Sequence, residues 1–312
     1  MKSSIHSIIL IIFSLFMILS CDNTEDKKGR FFLKGNEKMK ENDTKSALDF
    51  YTEALKIDPD YKDARYNRGI VYLRLSRLDE AIKDFSHIIG NTPNDSLALF
   101  QRGLAYLDNG EFYKSLADAE KLTDQFPENW QSHFLHGIVL DQFKNYGEAL
   151  RAFEKGLALD PSNPDLLVNK ATLLFYAKEY EEATQILKEA ETLNPTEANI
   201  FNLRSMISFE EGDFAGALDW VDKAISLNPR QAYYYNNRGL YKLYTEQLDA
   251  GLEDINYSLK QNPKNLFALR NKGIYYVMKS QPELALRYLE EVYQKDPEME
   301  LVKDYLDKAQ AL

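Results

Sequence analysis

The sequence predicts an all-α protein made of eight consecutive pairs of helices. A proline recurs every 34 residues, and small residues recur at two fixed places within each 34-residue unit. A period of this length is typical of stacked supersecondary units, each of which buries its apolar face only against its neighbours. Hydrophobic residues make up 44% of the chain, which is enough to form the continuous core that such a stack requires.

Proline placement defines the boundaries of the units. Eight of the ten prolines lie on the 34-residue lattice, namely Pro59, Pro93, Pro127, Pro161, Pro195, Pro229, Pro263 and Pro297. We number each unit so that this proline is position 32. The lattice then covers residues 28–297, in the units 28–61, 62–95, 96–129, 130–163, 164–197, 198–231, 232–265 and 266–299.

Two columns of small residues place a pair of helices in each unit. Position 8 is Gly35, Gly69, Gly103, Gly137, Ala171, Ser205, Gly239 and Gly273, and position 20 is Ala47, Ala81, Ser115, Ala149, Ala183, Ala217, Gly251 and Ala285. Small residues allow two helices to approach closely, so we expect helix A at positions 2–14 and helix B at about 18–30. The lattice proline ends helix B because it cannot continue a helical hydrogen-bond ladder.

This pattern resembles the tetratricopeptide repeat, which has small residues at positions 8 and 20 and proline at position 32. Tyrosine at position 11, another feature of that family, is present only at Tyr72, Tyr106 and Tyr276. The resemblance implies a right-handed superhelical solenoid that binds protein or peptide partners. Residues 300–312 carry Val302 and Tyr305 at helical spacing, which predicts a capping helix at the end of the stack.

The first residues predict export and lipid attachment. Lys2 precedes a short apolar run, so residues 1–20 are typical of a signal peptide. Residues 18–21 resemble a bacterial lipobox, which implies that Cys21 becomes a lipid-carrying N-terminus and that residues 21–29 form a short tether. The predicted location is a membrane, on its periplasmic face or at the cell surface. An ordinary signal peptide with an incidental cysteine and an uncleaved anchor are the alternatives.

Composition and motifs argue against several functions. The formal charge of −11 opposes nucleic-acid binding, which requires a basic surface. The sequence has no phosphate-binding loop, no catalytic serine motif and no zinc-protease motif. His133 and His136 lie three residues apart, but no third metal ligand is evident. We therefore predict no enzyme activity, no catalytic residue, no cofactor and no metal site.

In the resembled family, positions 2, 5, 9, 12 and 13 of helix A line a concave groove. Position 5 is aromatic in the first four units, including Tyr66, Phe100 and Phe134, and position 6 adds amides. The predicted partner-binding groove comprises Tyr66, Asn67, Phe100, Gln101, Phe134, Asn169, Asn237 and Asn271. Amide side chains both donate and accept hydrogen bonds, so a ladder of them suits the main chain of an extended peptide. Alternatively, the amides serve local hydrogen bonds and the rings pack between neighbouring helices.

Position 7 carries a basic residue in every unit, but its helical phase places it toward helix B. In the second, third and seventh units, position 7 is an arginine and position 23 on helix B is an aspartate. This coincidence predicts the pairs Arg68–Asp84, Arg102–Asp118 and Arg238–Asp254. Arg204 instead faces Trp220, where a cation–π contact is expected. This basic stripe is therefore interpreted as internal ion pairing rather than as an anion-binding surface.

These observations predict a non-enzymatic scaffold tethered to a bacterial membrane. It is expected to bind an extended or helical protein segment in its groove. One alternative is an accessory subunit of a cell-envelope enzyme or assembly complex, without a groove function of its own. Another is a structural spacer whose groove is filled by its own side chains.

Overall fold

The computed structural model describes residues 24–312, which contain seventeen helices and no strand. The predicted signal peptide and Cys21 lie outside the described residues. The chain divides into two compact units, unit 1 ending at Leu159 and unit 2 spanning Asp160–Leu312. Each unit is a series of antiparallel helix pairs, so the all-α helical-repeat class predicted from the proline lattice is confirmed.

Unit 1 contains four helix pairs, which correspond to the first four repeats. Their helices are α1 Thr24–Lys40, α2 Thr44–Ile57, α3 Lys62–Arg74, α4 Leu78–Asn91, α5 Ser96–Asp108, α6 Phe112–Gln125, α7 Trp130–Gln142 and α8 Tyr146–Leu159. Helix α1 begins at Thr24, inside the segment predicted as a tether, so the helical body starts before Gly29. The helical residues 24–27 of that segment are exposed.

Unit 2 contains the other four pairs and one more helix. Its helices are α9 Pro164–Tyr176, α10 Tyr180–Leu193, α11 Ala198–Glu210, α12 Phe214–Leu227, α13 Ala232–Tyr244, α14 Leu248–Gln261, α15 Leu266–Met278, α16 Pro282–Lys295 and α17 Val302–Ala311. From the second repeat onward, helix A occupies positions 1–13 and helix B positions 17–30. Both ends of helix A and the start of helix B lie one residue earlier than the sequence predicts, and the end of helix B agrees. Helix α17 lies in the segment predicted as a cap.

Each turn between helix A and helix B has a left-handed residue at position 15. Only Gly110 and Gly212 are glycines there; the others are Asn42, Ser76, Lys144, Lys178, Glu246 and Ser280. Left-handed backbone disfavours residues with a side chain, so most of these turns carry local strain. The strain is offset by the packing of the two helices that each turn joins.

The core of each repeat is built on the two columns of small residues. A methyl group added to Gly69 would lie 2.7 Å from the Phe85 ring, and one added to Gly137 would lie 2.4 Å from the Phe153 ring. Both rings are buried. The small residue at position 8 therefore provides the space that the bulky residue at position 24 fills, which explains why these two columns occur together.

The seventh repeat has glycine in both columns, and its two helices approach closely. A methyl group on Gly251 would lie 2.8 Å from the Gly239 carbonyl oxygen, and one on Gly239 would lie 2.9 Å from the Gly251 carbonyl oxygen. These neighbours are backbone atoms, which cannot rotate away as a side chain can. An added side chain must therefore push α13 and α14 apart.

We expect Gly251→Ala to destabilise unit 2 by about 1 kcal/mol or more, as measured by urea unfolding. Alanine gains about 1 kcal/mol of helix propensity over glycine, but overpacking typically costs about 1–3 kcal/mol. Gly90 in α4 has open space where its side chain would be, so Gly90→Ala is the matched control and should stabilise the protein. Equal gains from both substitutions would contradict the close approach.

Within residues 24–312, none of the helices combines the length and the apolar character needed to cross a membrane.

Candidate functional site

The candidate partner-binding surface lies on the helices A. We call the surface formed by positions 2, 5, 9, 12 and 13 of these helices the inner face of a unit. In unit 1 it is carried by α1, α3, α5 and α7, and in unit 2 by α9, α11, α13 and α15. Neighbouring helices A are brought side by side because each repeat has the same length and the same turns.

The inner face of unit 1 carries the predicted aromatic residues. Tyr66, Phe100 and Phe134 are each half-buried. The Phe100 and Phe134 ring centroids are 6.4 Å apart, and the Tyr66 ring meets the buried Phe85 ring edge-on at 5.7 Å. Burial raises the pKa of the Tyr66 hydroxyl. The rings are therefore partly core and partly surface.

Aliphatic side chains surround these rings on the same face. Ile70, Leu104 and Ile138, all at position 9, are half-buried, and Leu97 at position 2 is 53% exposed. Half-buried apolar side chains on neighbouring helices form a surface that releases water when another chain covers it. Unit 1 thus presents an apolar inner face across its second, third and fourth repeats.

Two acidic residues flank this apolar surface. Burial raises the pKa of Asp108 and of Asp141, at positions 13 and 12 of neighbouring repeats. Within residues 24–312, neither carboxylate has a hydrogen bond or an ion pair to a side chain. This end of the inner face therefore carries negative charge without a neighbouring cation.

The position-6 amides of unit 1 connect neighbouring repeats. Asn67 Nδ2 donates to Asn36 Oδ1 at 2.9 Å, and the Tyr51 hydroxyl donates to the same oxygen at 2.7 Å. Gln101 lies near the Tyr66 hydroxyl of the preceding repeat and partly opposes the rise of its pKa. Both amides are half-buried. Each amide has donors and acceptors beyond its contact with the preceding repeat, so these side chains retain capacity for another chain.

The amides predicted in unit 2 are used within the unit. Asn237 Nδ2 donates to Asn202 Oδ1 at 3.0 Å, and Asn271 Nδ2 donates to Asn236 Oδ1 at 3.0 Å. Asn271 is completely buried. These two amides join each helix A to the preceding one, so sequence reasoning missed the pairing of position 6 with position 5 of the preceding repeat.

Asn169 behaves differently from the other amides. It donates to the Asp165 carbonyl oxygen in its own helix at 2.8 Å. Such a bond to the fourth preceding residue is local and does not link repeats. Of the eight predicted groove residues, the structure therefore brings Tyr66, Asn67, Phe100, Gln101 and Phe134 together in unit 1, while the other three lie in unit 2.

The predicted ion pairs between positions 7 and 23 are confirmed. Arg68, Arg102 and Arg238 each bind their aspartate through two hydrogen bonds of 2.6–2.8 Å. The three aspartates are buried. The guanidinium of Arg204 lies 5.0 Å from the centre of the Trp220 ring, as predicted, and its Nη1 also lies 2.6 Å from Glu191 Oε2. The basic stripe therefore holds helix A against helix B.

The histidine pair of the fourth repeat takes part in ordinary packing. His133 is buried, and its Nε2 lies 2.7 Å from the Pro127 carbonyl oxygen. Burial lowers the pKa of His136. Over the part of the chain that the structure describes, no three potential ligand side chains come together in a way that could hold a metal ion.

Family models identify the repeats directly. Models described as tetratricopeptide repeat match residues 63–95, 100–164 and 142–207, and a model described as TPR repeat matches residues 35–76. The chain belongs to the tetratricopeptide-repeat family. Proteins of this family are generally non-catalytic scaffolds for protein interactions. No curated protein sequence matches the chain.

Solved structures support the same fold. A chain of the APC/C hetero-tetramer Cut9–Hcn1 matches with a TM-score of 0.70 and 16% identity, over 85% of this chain and 52% of that one. This protein thus spans about half the length of that relative. PilF of Pseudomonas aeruginosa matches with a TM-score of 0.53 and 22% identity, over 69% of this chain and 96% of that one. PilW, a type IV pilus biogenesis factor, matches with a TM-score of 0.54 and 15% identity, over 68% and 99%. At these identities the likeness concerns the fold alone.

Proposed function

We propose that the protein is a membrane-tethered, non-enzymatic scaffold that binds a protein segment on the inner face of unit 1. The observation that carries this proposal is the row of half-buried aromatic and aliphatic side chains on α3, α5 and α7. Aromatic side chains provide a large contact area at low entropic cost, which suits them to partner binding.

The polar groups of the same face favour a particular kind of segment. Asn67 and Gln101 provide amides beside the rings, and such groups hold the main chain of an extended segment in register. Asp108 and Asp141 favour a partner with a cationic side chain at that end of the face, since a cation would balance two carboxylates that have no side-chain ion pair. An apolar segment with a basic residue meets both conditions.

Unit 2 is a weaker candidate for this function. Its position-5 residues Val168, Asn202, Asn236 and Arg270 are all buried, in contrast to the half-buried rings of unit 1. Three of these four are polar and are used in hydrogen bonds inside the unit. The position-5 side chains of unit 2 are therefore committed to contacts inside the unit, whereas those of unit 1 remain half-buried.

Lipid attachment at Cys21 is the proposed means of tethering. Helix α1 is already present at Thr24, so at most two residues separate the proposed anchor at Cys21 from the helical body. A tether this short would keep unit 1 close to the membrane and limit the partner to segments that reach the membrane surface. The location, on the periplasmic face or at the cell surface, depends on the same attachment.

We expect Cys21→Ala to abolish membrane anchoring. Mass spectrometry of the wild-type protein extracted from membranes should show residues 1–20 removed and acyl mass added at Cys21. The variant should be released or remain unprocessed, because alanine has no thiol to carry a lipid. A variant that is cleaved and still acylated would rule out Cys21 as the anchor.

We expect Tyr66→Ala, Phe100→Ala and Phe134→Ala each to weaken partner binding by about 1–3 kcal/mol, because buried aromatic anchors dominate interfaces. The rings also contact the core, so each variant should lose some stability. Leu97→Glu separates the two effects, since Leu97 is 53% exposed and glutamate is favourable in the first turn of a helix.

Binding is measured by calorimetry with a partner crosslinked to the protein in intact membranes and then purified. Tyr113→Ala is the matched control, because this ring is 80% exposed but lies at the start of helix B, away from the inner face. Full affinity in both Phe100→Ala and Leu97→Glu would place the binding site elsewhere.

A further inference from the structure

The chain's C-terminal segment folds onto the inner face of unit 2. After α16 ends at Lys295, six residues lead to α17 at Val302, whereas four residues join α10 to α11. Leu301 adopts a left-handed conformation with φ of 66°. The longer connection and this bend bring Glu300 to Lys178 and Arg270, and they bring Tyr305 to Tyr244.

Three contacts seat the segment on unit 2. Arg270 Nη1 donates to the Glu300 carbonyl oxygen at 3.1 Å, and Glu300 Oε1 lies 3.9 Å from Lys178 Nζ. The Tyr305 hydroxyl donates to the Tyr244 hydroxyl at 3.1 Å. The three receiving residues belong to the fifth, seventh and eighth repeats. Arg270 and Tyr244 stand at inner-face positions 5 and 13, whereas Lys178 lies in the turn of the fifth repeat, so the segment contacts three of the four repeats of unit 2.

Arg270 is unusual among the residues that contact the segment because it is a buried cation on the inner face. It stands at position 5, where unit 1 has aromatic rings, and only 7% of it is exposed. Burial lowers its pKa to about 10. In the described part of the chain no carboxylate lies within ion-pair distance of it; its hydrogen bonds go to the Asn271 side chain and the Glu300 main chain. A guanidinium presents several N–H donors in a fixed fork, so Arg270 can hold a main-chain carbonyl of a segment that lies on it.

Apolar burial holds the rest of the segment. Met299 and Val302 are buried and form a cluster with Leu269 of α15 and Val292 of α16. Leu306 and Ala309, one and two turns further along α17, are also buried. The segment thus combines an acidic extended part with an apolar helix face, and each part has its own receiving surface in unit 2.

We propose that Met299–Leu312 acts as an intramolecular ligand of unit 2. It occupies a binding surface that accepts an acidic extended segment followed by an amphipathic helix. A second chain of this chemistry binds unit 2 only when the protein's own segment is displaced. This proposal concerns unit 2 and does not depend on the function proposed for unit 1.

The covalent link explains why unit 2 is closed in the free protein. A tethered ligand acts at an effective concentration of about millimolar, so a free peptide at about 50 μM occupies few sites. A substitution that weakens the seated segment by a factor of about a hundred or more reverses this balance. Whether the tethered segment or the free peptide occupies unit 2 therefore depends on how tightly the apolar face of α17 packs against α15 and α16.

The test uses the full-length chain and a fluorescent synthetic peptide with the sequence of residues 295–312. Val302→Asp places a carboxylate in the apolar cluster and should release the tethered segment. With wild-type protein at up to about 50 μM, we expect no change in peptide anisotropy. The variant should bind the peptide saturably, with a Kd at least about tenfold below 50 μM. Arg270→Met in the Val302→Asp background should weaken that binding at least about tenfold, because methionine cannot donate to the peptide carbonyl.

Two controls keep the outcome decisive. Circular dichroism establishes that unit 2 stays folded; if Val302→Asp reduces the helix content beyond α17 itself, Leu306→Asp at the rim of the cluster replaces it. Hydrogen exchange of residues 302–311 in the wild type is compared with Lys178→Glu, Glu300→Lys and the charge-exchanged double variant. Each single variant should speed exchange by about 1.5- to fivefold, as is usual for an exposed ion pair, and the double variant should restore it.

Equal peptide binding by the wild type and the folded variant would contradict the proposal, because the site would then be open in both. Absence of peptide binding by a folded, released variant would overturn it as well. Exchange rates unaffected by either single charge reversal would show that Glu300 is not seated on Lys178.

Discussion

Asp84→Asn should destabilise the second repeat by about 3–5 kcal/mol. Asp84 Oδ2 and Oδ1 accept hydrogen bonds of 2.7 Å from Arg68, and Oδ1 accepts a third, of 3.1 Å, from Arg65. The aspartate side chain is 3% exposed, and the two arginine side chains are 17% and 11% exposed. Asparagine keeps one acceptor oxygen but removes the charge that balances two half-buried guanidinium groups, and breaking a buried ion pair in this way typically costs about 3–5 kcal/mol.

The measurement is hydrogen exchange of the α3 and α4 amides in increasing urea, since repeat arrays lose cooperativity and a single unfolding midpoint is then poorly defined. Glu53→Gln is the matched control, because Glu53 pairs with Lys56 at 2.5 Å but both side chains are exposed. That variant should change local stability by less than about 1 kcal/mol. A similarly small effect of Asp84→Asn would mean that water reaches the Arg68–Asp84 pair.

Asn271→Ala should destabilise unit 2 by about 2–5 kcal/mol. Asn271 is completely buried, accepts a hydrogen bond from Arg270 Nε at 3.0 Å and donates to Asn236 Oδ1 at 3.0 Å. The truncation leaves both of these groups without that partner, and a buried unsatisfied polar group costs about 1–3 kcal/mol. The readout is the urea dependence of hydrogen exchange in α13 and α15, the two helices that this side chain joins.

Asn169→Ala is the matched control at the same position of another repeat. Asn169 is half-buried and its bond stays within its own helix, so we expect a change within about 0.5 kcal/mol. If the two variants have the same effect, the position-6 amides do not join neighbouring repeats. Asn67→Ala should fall between them, because its bond to Asn36 is only half-buried.

The repeat architecture was predictable because the same residue spacing recurs in every repeat. Proline at position 32 and small residues at positions 8 and 20 place two helices, and their separation determines which side chains meet. Arg68 and Asp84 are sixteen residues apart, as are Arg102 and Asp118, so one geometric argument predicted all three pairs correctly. Local sequence rules succeed here because the contacts are local within a repeat.

The turns between helices were less visible in the sequence. Lys144 and Glu246 adopt left-handed backbone although neither is glycine or asparagine. Residue preference alone would place them in ordinary helix or turn conformations. The packing of the two helices in each pair overrides that preference, and only the recurrence of position 15 across repeats could have indicated it.

The role of the inner-face amides could not be derived from their spacing, for a related reason. Their periodicity in the sequence is the same whether they face a bound peptide or the preceding repeat. The distinguishing signal was the asparagine at position 5 of the sixth and seventh repeats, Asn202 and Asn236, which supplies the acceptor for the next repeat's amide. Where position 5 is Tyr66, the next repeat's amide, Gln101, lies near a hydroxyl instead and remains half-buried.

The contacts of the C-terminal segment could not be derived from repeat spacing. Glu300 and Lys178 are more than a hundred residues apart, and the six-residue connection after α16 breaks the period. Sequence reasoning predicted a helix in this segment from its apolar spacing, but not the seating of Glu300 on Arg270. Such contacts depend on how the repeats of a unit curve together, which no single repeat encodes.

The central claim is that the inner face of unit 1 is where a partner segment binds. Hydrogen exchange of the full-length protein, measured with and without a saturating concentration of the purified partner, tests it most directly. The account predicts slower exchange in α3, α5 and α7, around Tyr66, Phe100 and Phe134, with α4 and α6 changing little. Protection confined to the helices B of unit 1, with none on α3, α5 and α7, would contradict it.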